Sequence, residues 1–347
     1  MPIVTHLIAD QFGTFLQKHQ GRLRLTKGQE VLAQAPLLHL ESVTIANSGV
    51  GLSAEAIRAC AEGGIPIHFL GGGGAPYAAL YSAGLAGTVV TRRAQLEAYG
   101  DLRGVRIALG VTGGKIENQS RLIKYAAKNR KESDEATHHE LRLLAGEVID
   151  HMEELCTLDF IAPREGYTLV DARPQILSIE GRAAQKYWRA IGLLLPPALG
   201  WPGRRRRGAT DPFNSALNYG YGILYHQVQQ AIVLAGLDPY AGFLHVDRPG
   251  KPSLVLDLIE EFRAPVVDKT VLGLATRNVP FEQDDTGRLT EAARRQLAGH
   301  VIDRLDAAER YEGQRRPLRD IIQSQARRAA AYLRGDRDAY QPFLAGW

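Results

Sequence analysis

The sequence predicts an α+β protein, in which a small β-rich N-terminal domain over residues 1–87 is followed by a larger all-α domain over residues 88–347. Two observations support this prediction. Up to about Gly87 the chain consists of short β-branched or alternating segments separated by turn residues, a pattern typical of strands. Beyond that point the composition changes, and apolar residues recur at helical spacing over longer segments.

The composition is that of a globular protein that dissolves in water. Of the 347 residues, 45% are hydrophobic and 23% are charged, and the net charge is +4. We expect no membrane span, because no long apolar run is present, and no signal peptide, because residues 1–6 lack its basic-then-apolar layout. Cys60 and Cys156 are the two cysteines, both in apolar helical segments. We therefore expect buried thiols and a cytoplasmic protein.

The N-terminal domain is predicted to hold several short strands and one helix. The predicted strands are 3–8, 22–26, Ser42–Ile45 and 65–70. The helix, Ala54–Glu62, begins after the capping residue Ser53 and ends at Gly63. The glycine run at 71–74 lacks the Lys-Ser/Thr of a phosphate loop and the spaced glycines of a dinucleotide-binding fold, so we interpret it as a hairpin loop.

Polar residues mark two of the helices predicted in the second domain. Glu180 lies in the first turns of one helix, where the helix dipole favours a glutamate, so a ligand role stays open at this point. Another helix covers 212–236 with Asp211 as its cap. Asn214 and Asn218 form a polar stripe on this otherwise buried helix, which predicts a polar site nearby because buried amides need partners.

Four consecutive arginines precede that helix in a Pro/Gly-rich segment: Arg204, Arg205, Arg206 and Arg207. Holding four like charges together is costly unless an anion is near. The guanidinium group also suits phosphate, because its fork pairs with two oxygens. Phosphate binding and a merely solvated loop both remain open from these residues.

The stretch 240–263 contains the densest chemistry of the chain. An apolar run carries His245, a Pro/Gly-rich loop follows, and a helix that begins at the capping residue Ser253 carries Asp257 and Glu260 three residues apart. That spacing puts both carboxylates on one face. Imidazole and carboxylates suit Mg²⁺ or Mn²⁺, and Zn²⁺ is a further possibility. A core histidine and a polar helix face are the alternatives, but this helix is partly buried, and buried carboxylates need a partner.

The C-terminal part is predicted to be helical. Thr290 caps a helix to about Glu309, and Pro317 starts another to about Leu333. A turn or small hairpin is predicted at 284–287, and an irregular tail at 338–343.

At this point the residues resemble the CRISPR-associated protein 1 family, the integrase subunit of CRISPR adaptation. The resemblance is carried mainly by 236–245, which reads GLDPYAGFLH, and 253–263, which reads SLVLDLIEEFR. It extends to 218–224, 179–181, 39–43 and 63–67, and so covers nearly the whole chain.

The resemblance implies that the β-rich domain forms a homodimer contact and that the helical domain is catalytic. It assigns metal-ligand roles to Glu180, His245 and Glu260. It makes Asp257 either a further ligand or a residue that holds a ligand in place. The implied reaction joins the 3′-hydroxyl of a short DNA duplex, the prespacer, to a CRISPR repeat array by transesterification. The implied partners are double-stranded DNA and CRISPR-associated protein 2, which bridges two dimers in a heterohexamer.

In that hypothesis the remaining site residues contact DNA: the arginine run, Tyr221 and Tyr225. Two alternatives stay open. The first is a metal-dependent endonuclease or branched-DNA resolvase that uses the same ligands. The second is a DNA-binding scaffold with a vestigial metal site.

Overall fold

The computed structural model describes residues 6–40, 42–71, 76–80, 89–128, 130–206 and 208–347. Its N-terminal part is β-rich, as predicted. The strands are β1 His6–Ala9, β2 Phe15–His19, β3 Arg22–Lys27, β4 Glu30–Pro36, β5 Ser42–Ile45, β6 Gly51–Leu52, β7 Ile67–Leu70 and β8 Pro76–Leu80, and the helix is α1 Ala54–Glu62. The Ser53 side chain accepts a hydrogen bond from the Ala56 amide, which confirms the predicted cap.

These strands form two four-stranded sheets, with the orders β1-β5-β7-β8 and β4-β3-β2-β6. The first sheet is parallel between β1, β5 and β7, whereas β8 pairs antiparallel with β7. Leu16 and Leu23 from one sheet and Val43 from the other are fully buried in one apolar cluster. Residues 72–74 of the predicted glycine loop lie outside the described residues, so the loop stays a prediction, and the flanking strands β7 and β8 pair antiparallel.

The larger part is helical from Val89 onward. Its helices are α2 Val89–Glu97, α3 Leu102–Lys128, α4 Glu135–Glu165, α5 Leu169–Leu194, α6 Pro212–Leu234, α7 Ser253–Leu258, α8 Glu260–Phe262, α9 Lys269–Thr276, α10 Glu291–Asp306 and α11 Leu318–Arg334. The domain boundary predicted at residues 87/88 falls on residues 81–88, which lie outside the described part, so it stays a prediction. None of the described helices is long and apolar enough to cross a membrane.

The helix predicted to follow the loop after His245 is broken into several pieces. After α7 and α8 the backbone widens into a π-helical segment, Arg263–Asp268, before α9 begins. Such π segments often accompany functional sites. The prediction that Ser253 caps the helix is wrong: Pro252 precedes the helix, and Ser253 is its first residue. The Ser253 hydroxyl is instead engaged with the preceding loop, where it accepts a hydrogen bond from the Gly242 amide at 3.0 Å.

The C-terminal region is not entirely α-helical, which corrects one part of the predicted fold. The helix after Thr290 ends at Asp306, and a hairpin of β9 Ala308–Tyr311 and β10 Gln314–Pro317 follows. Its two turn residues, Glu312 and Gly313, have φ of 47° and 80°. Two consecutive positive φ angles give the tight turn that matches strand twist. Gly313 adopts its positive φ without steric cost, so the Glu312-Gly313 pair is a turn signal in the sequence, and the prediction of a helical C-terminal part did not use it.

The final residues form an irregular tail, as predicted, but the tail is packed into the core. Phe343 is 1% exposed and stacks on Phe262 with ring centroids 5.4 Å apart. The expectation of two buried thiols is half correct: Cys60 is buried, whereas Cys156 on α4 is exposed.

Candidate active site

One cavity of about 180 Å³ brings together the three residues that the family resemblance named. Glu180 comes from α5, Glu260 from the start of α8, and His245 from the loop between α6 and α7. The full lining is Lys115, Gln119, Glu180, Ala184, Trp188, Arg204, Arg206, Tyr221, His245, Glu260, Arg263 and Asp268. The fold thus collects residues that lie far apart in the sequence into one charged cavity.

Glu180 and Glu260 both form ion pairs with the same lysine, Lys115. The Lys115 ammonium on α3 lies 2.6 Å from Oε2 of Glu260 and also forms an ion pair with Oε1 of Glu180. On its other oxygen, Glu260 accepts a hydrogen bond from Nε of Arg263 at 2.9 Å. The Glu260 side chain is only 4% exposed. A buried carboxylate of this kind is stable only because it is paired.

The surrounding charges keep both partners ionised. Burial alone would raise the pKa of Glu260, but Arg263, Lys115 and His245 outweigh burial and hold that pKa far below its usual range. Burial alone would lower the pKa of Lys115, but Glu260 and Glu180 raise it above its ordinary value. The cavity therefore contains fixed charges of both signs at neutral pH.

Asp257 is fully buried and organises the loop that carries His245. Its Oδ2 accepts hydrogen bonds from the amides of Phe243 at 2.6 Å and Leu244 at 3.0 Å. Its Oδ1 accepts one from the His245 amide and one from His245 Nδ1, both at 2.8 Å. A carboxylate on Nδ1 fixes the ring orientation and leaves Nε2 as the nitrogen with a lone pair. Asp257 thus positions His245, and both of its carboxylate oxygens already accept hydrogen bonds from residues 243–245.

The donor set of the cavity suits a divalent cation, although the side chains do not form a closed site as they stand. In the described part of the chain, no three His, Cys, Asp or Glu side chains are close enough together to hold a metal ion. Lys115 lies between the two glutamates instead. Oε2 of Glu260 is nevertheless buried and, among the described residues, makes no hydrogen bond of good geometry, so its contact with Lys115 is ionic. Two carboxylates and an imidazole are the donor types that Mn²⁺ and Mg²⁺ accept.

The arginine run is divided between the cavity and the surface. Arg204 donates to Oδ1 of Asn214 at 3.0 Å and to Oδ1 of Asn218 at 2.8 Å. Burial lowers its pKa. The polar stripe on α6 therefore lies beside a polar site, as predicted, and it anchors this loop. Arg205 and Arg206 are exposed, Arg206 also lines the cavity, and Arg207 lies outside the described residues.

The two tyrosines named from the sequence differ in position. Tyr221 lines the cavity, but its hydroxyl donates to the buried carboxylate of Asp268, which also accepts from the Tyr187 hydroxyl at 2.6 Å. The Arg263 guanidinium lies 4.5 Å from the centre of the Tyr221 ring. Tyr221 thus supports Arg263. Tyr225 is half-buried and is not among the described residues that line this cavity.

Three charged residues of the cavity were missed by the sequence reasoning. Arg263 follows Glu260 by three residues, the spacing at which helical side chains meet, and this signal was available. Lys115 follows two glycines and precedes Ile116 in α3, and a charge next to small and apolar residues indicates a buried partner. Asp268 offered no comparable signal, because the π segment changes the spacing that a regular helix would give.

The sequence also matches proteins that are already known. The profile of the family described as CRISPR associated protein Cas1 matches residues 7–302. A CRISPR-associated endonuclease Cas1 of Archaeoglobus fulgidus is 36% identical over 352 residues, covering 98% of this chain and 99% of that protein.

Solved structures show the same fold at lower sequence identity. A casposase bound to integration product has a TM-score of 0.79 at 22% identity, covering 97% of this chain and 93% of that one. A chain of a Cas6-RT-Cas1–Cas2 complex has a TM-score of 0.73 at 21% identity, covering 99% of this chain and 37% of that longer one.

Proposed function

The chain belongs to the CRISPR-associated protein Cas1 family, and from that premise we propose that it is a metal-dependent DNA integrase. The proposed reaction is transesterification, in which the 3′-hydroxyl of a prespacer attacks a phosphodiester of a CRISPR repeat array. One observation carries the proposal. Glu180, His245 and Glu260 line a single cavity whose other charged groups include Arg204 and Arg263.

The chemistry that this cavity can support follows from its charges. Attack on a phosphodiester concentrates negative charge on the phosphate and on the attacking and leaving oxygens. Glu180, His245 and Glu260 would hold Mg²⁺ or Mn²⁺, and the bound ion would supply Lewis-acid polarisation of the phosphate. The two arginines are pre-oriented donors for the developing charge, Arg263 by Glu260 and Arg204 by the α6 asparagines. The incoming hydroxyl is the nucleophile, so no covalent intermediate with the protein is required.

DNA reaches the cavity along a basic surface in this proposal. Arg205 and Arg206 are exposed on the same loop whose Arg204 points into the cavity, so the loop joins the surface to the site. Binding of this kind depends on phosphate contacts and weakens as salt increases. The proposed assembly is a homodimer through the β-rich part, with two dimers bridged by CRISPR-associated protein 2. One of the structural relatives is part of a Cas1–Cas2 complex.

An integration assay tests the proposal. The purified protein, with its CRISPR-associated protein 2 and Mn²⁺, is incubated with a supercoiled repeat plasmid and a labelled duplex that has free 3′-hydroxyls. We expect label joined to the plasmid, and no joining when the 3′ ends carry phosphate. Glu180→Gln and His245→Ala should each reduce joining at least about 100-fold, the scale typical for loss of one electrostatic group.

The alternatives give other outcomes in the same assay. Cleavage without joining would favour the endonuclease or resolvase. Tight DNA binding with no turnover in any of the proteins would favour the scaffold. Unchanged joining in either variant would refute the assignment of the metal site.

A further inference from the structure

The Lys115 ammonium lies between Glu180 and Glu260, where a metal ion bound by these two residues would lie. It projects from the middle of α3, and its side chain is 13% exposed. Its neighbours Gly113, Gly114 and Ile116 on the helix are buried. Such a position is unfavourable for an ammonium group unless carboxylates compensate it. Glu180 and Glu260 provide that compensation from two other elements.

The atoms in contact show what the lysine blocks. Glu260 uses Oε1 to accept from Arg263, which leaves Oε2 as its oxygen for any further cation, and Oε2 is the atom that faces Lys115. On Glu180 the lysine contacts Oε1. One ammonium thus occupies the space between the two carboxylates that the proposed metal site requires as ligands.

We propose that Lys115 is the resident counter-ion of the metal-free protein, and that a divalent cation binds between Glu180 and Glu260 only by displacing the Lys115 ammonium. This inference rests on the proposed function, because it assumes that these glutamates are metal ligands. An ammonium and a divalent cation on the same two oxygens would repel each other, and that repulsion is large at such short range in a buried site. Lys115 therefore weakens metal binding while it stabilises the metal-free fold.

The proposal predicts two effects of opposite sign when Lys115 is replaced by methionine, which keeps the length of the side chain without its charge. Without metal, Lys115→Met should melt at a lower temperature than wild type, because the buried Glu260 and the partly buried Glu180 then face each other without a cation between them. With metal, it should bind Mn²⁺ at least about tenfold more tightly in calorimetry, because the competing charge is gone. Addition of Mn²⁺ should accordingly raise its melting temperature more than that of wild type.

Two further variants keep the test decisive. Lys128→Met removes an exposed lysine from the end of the same helix and should match wild type in Mn²⁺ affinity. Lys115→Met combined with Glu180→Gln should recover stability without metal, because one of the two facing charges is removed. It should also lose the tight Mn²⁺ binding. If Lys115→Met alone is too unstable to purify, this recovery in the double variant still tests the counter-ion role.

The outcomes separate this inference from the proposed function. Wild-type Mn²⁺ binding that Glu180→Gln abolishes, but that Lys115→Met leaves unchanged or weakens, would overturn the counter-ion role alone. If Lys115 served only in packing, Lys115→Met would lower the stability with and without metal and would not raise the affinity for Mn²⁺. Absence of Mn²⁺ binding in wild type and in Lys115→Met alike would overturn the proposed metal site, and this inference with it.

Discussion

At the scale of single residues, the cavity is held by side chains that are fixed from more than one direction. Arg263 donates to Glu260 and also lies over the Tyr221 ring, whose hydroxyl is held by Asp268. Guanidinium suits this double role because it stacks on rings while its edge forms directed hydrogen bonds. His245 is fixed in the same way, through its amide and its Nδ1, by a single carboxylate. Precise placement of donors before the substrate arrives is what electrostatic catalysis requires.

Replacing Asp257 by asparagine tests whether that carboxylate positions His245. Asp257 accepts four hydrogen bonds, three from backbone amides and one from the imidazole. An asparagine offers one acceptor oxygen and turns the other into a donor that opposes these N–H groups. We expect Asp257→Asn to lower the free energy of unfolding by about 2–3 kcal/mol and to reduce integration at least about tenfold. Urea unfolding and the integration assay measure the two effects.

Asp247→Asn is the control for this change, because Asp247 is exposed in the same loop and its amide counterpart can still accept from Ser253. It should behave like wild type in both measurements. The positioning role would be refuted if Asp257→Asn reduced integration further in a protein that already carries His245→Ala. In that protein, no imidazole remains to be positioned.

At the scale of elements, the arginine loop is an irregular segment that a regular helix holds in shape. Asn214 on α6 is fully buried, and its Oδ1 accepts from both the Arg204 side chain at 3.0 Å and the Arg205 amide at 3.0 Å. Its Nδ2 donates to the Gly203 carbonyl at 2.8 Å. A loop that has no regular backbone–backbone hydrogen bonds depends on such side-chain hydrogen bonds, since its backbone polar groups need partners. The helix thereby determines where the loop presents its charges.

Asn214→Ala should therefore loosen the loop more than it disturbs α6. We expect a loss of about 2–3 kcal/mol in unfolding free energy, because several buried polar groups lose their partner at once. DNA affinity should also fall, and its dependence on salt should become shallower as Arg204 and Arg205 lose their fixed positions. Fluorescence anisotropy with a labelled duplex at several salt concentrations measures this. Thr270→Val, which removes a hydroxyl donor from α9, is a control that should leave DNA binding unchanged. A full salt slope in Asn214→Ala would contradict the role of the helix.

The C-terminal tail is the second element whose position depends on a few polar contacts. Glu261, which follows Glu260, is fully buried and accepts from the Phe343 amide at 2.8 Å and from Gln325 at 2.9 Å, and also from the Tyr340 hydroxyl. Gly114 on α3 permits this approach, because a Cβ there would lie 2.6 Å from Pro342. The tail is therefore attached directly beside a predicted metal ligand.

Glu261→Ala should release the tail and destabilise the protein. Three donors then lose their acceptor in the core, and we expect a loss of about 3–4 kcal/mol in urea unfolding. Tyr340→Phe removes a single donor and should cost only about 1 kcal/mol. Limited proteolysis should cut Glu261→Ala near its C-terminus before wild type. Equal effects of the two substitutions would show that Glu261 is not the anchor.

At the scale of the whole molecule, local patterns predicted more of the fold than of the site. Alternation and turn residues were sufficient for strands such as β3 and β5, and Asp211 marked the start of α6, because these features are decided by neighbours in the chain. The ion pairs of Lys115 with Glu180 and Glu260 were not predictable, because the three residues lie on three different elements. The break of the helix after Glu260 was also missed, since tertiary packing overrides local propensity there.

A pair of histidines joins the two halves of the molecule. His68 on β7 and His226 on α6 are 3% and 5% exposed, and their ring centroids lie 4.7 Å apart. Burial lowers the pKa of His68 to about 4, against a weaker opposing effect of a hydrogen bond with Gln230. Burial, with a smaller effect of His68, also lowers the pKa of His226 well below its ordinary value. Both rings are therefore neutral in the folded protein at neutral pH.

These pKa values predict that acid loosens the junction between the β-rich and helical parts. Because the folded-state pKa is depressed, the stabilisation is present above the unfolded value of 6.5 and is lost as pH falls towards 4. His68 should remove about 2 kcal/mol of unfolding free energy between pH 7.5 and pH 5, and His226 should contribute a further loss of the same sign. His226→Leu should keep stability at pH 7.5, since an apolar group replaces a buried imidazole, and it should lose less stability than wild type when the pH falls to 5. Urea unfolding at both pH values measures this, with the exposed His139→Gln as a control that retains the wild-type loss. If His226→Leu loses as much stability in acid as wild type does, the junction is not the acid-sensitive part of the fold.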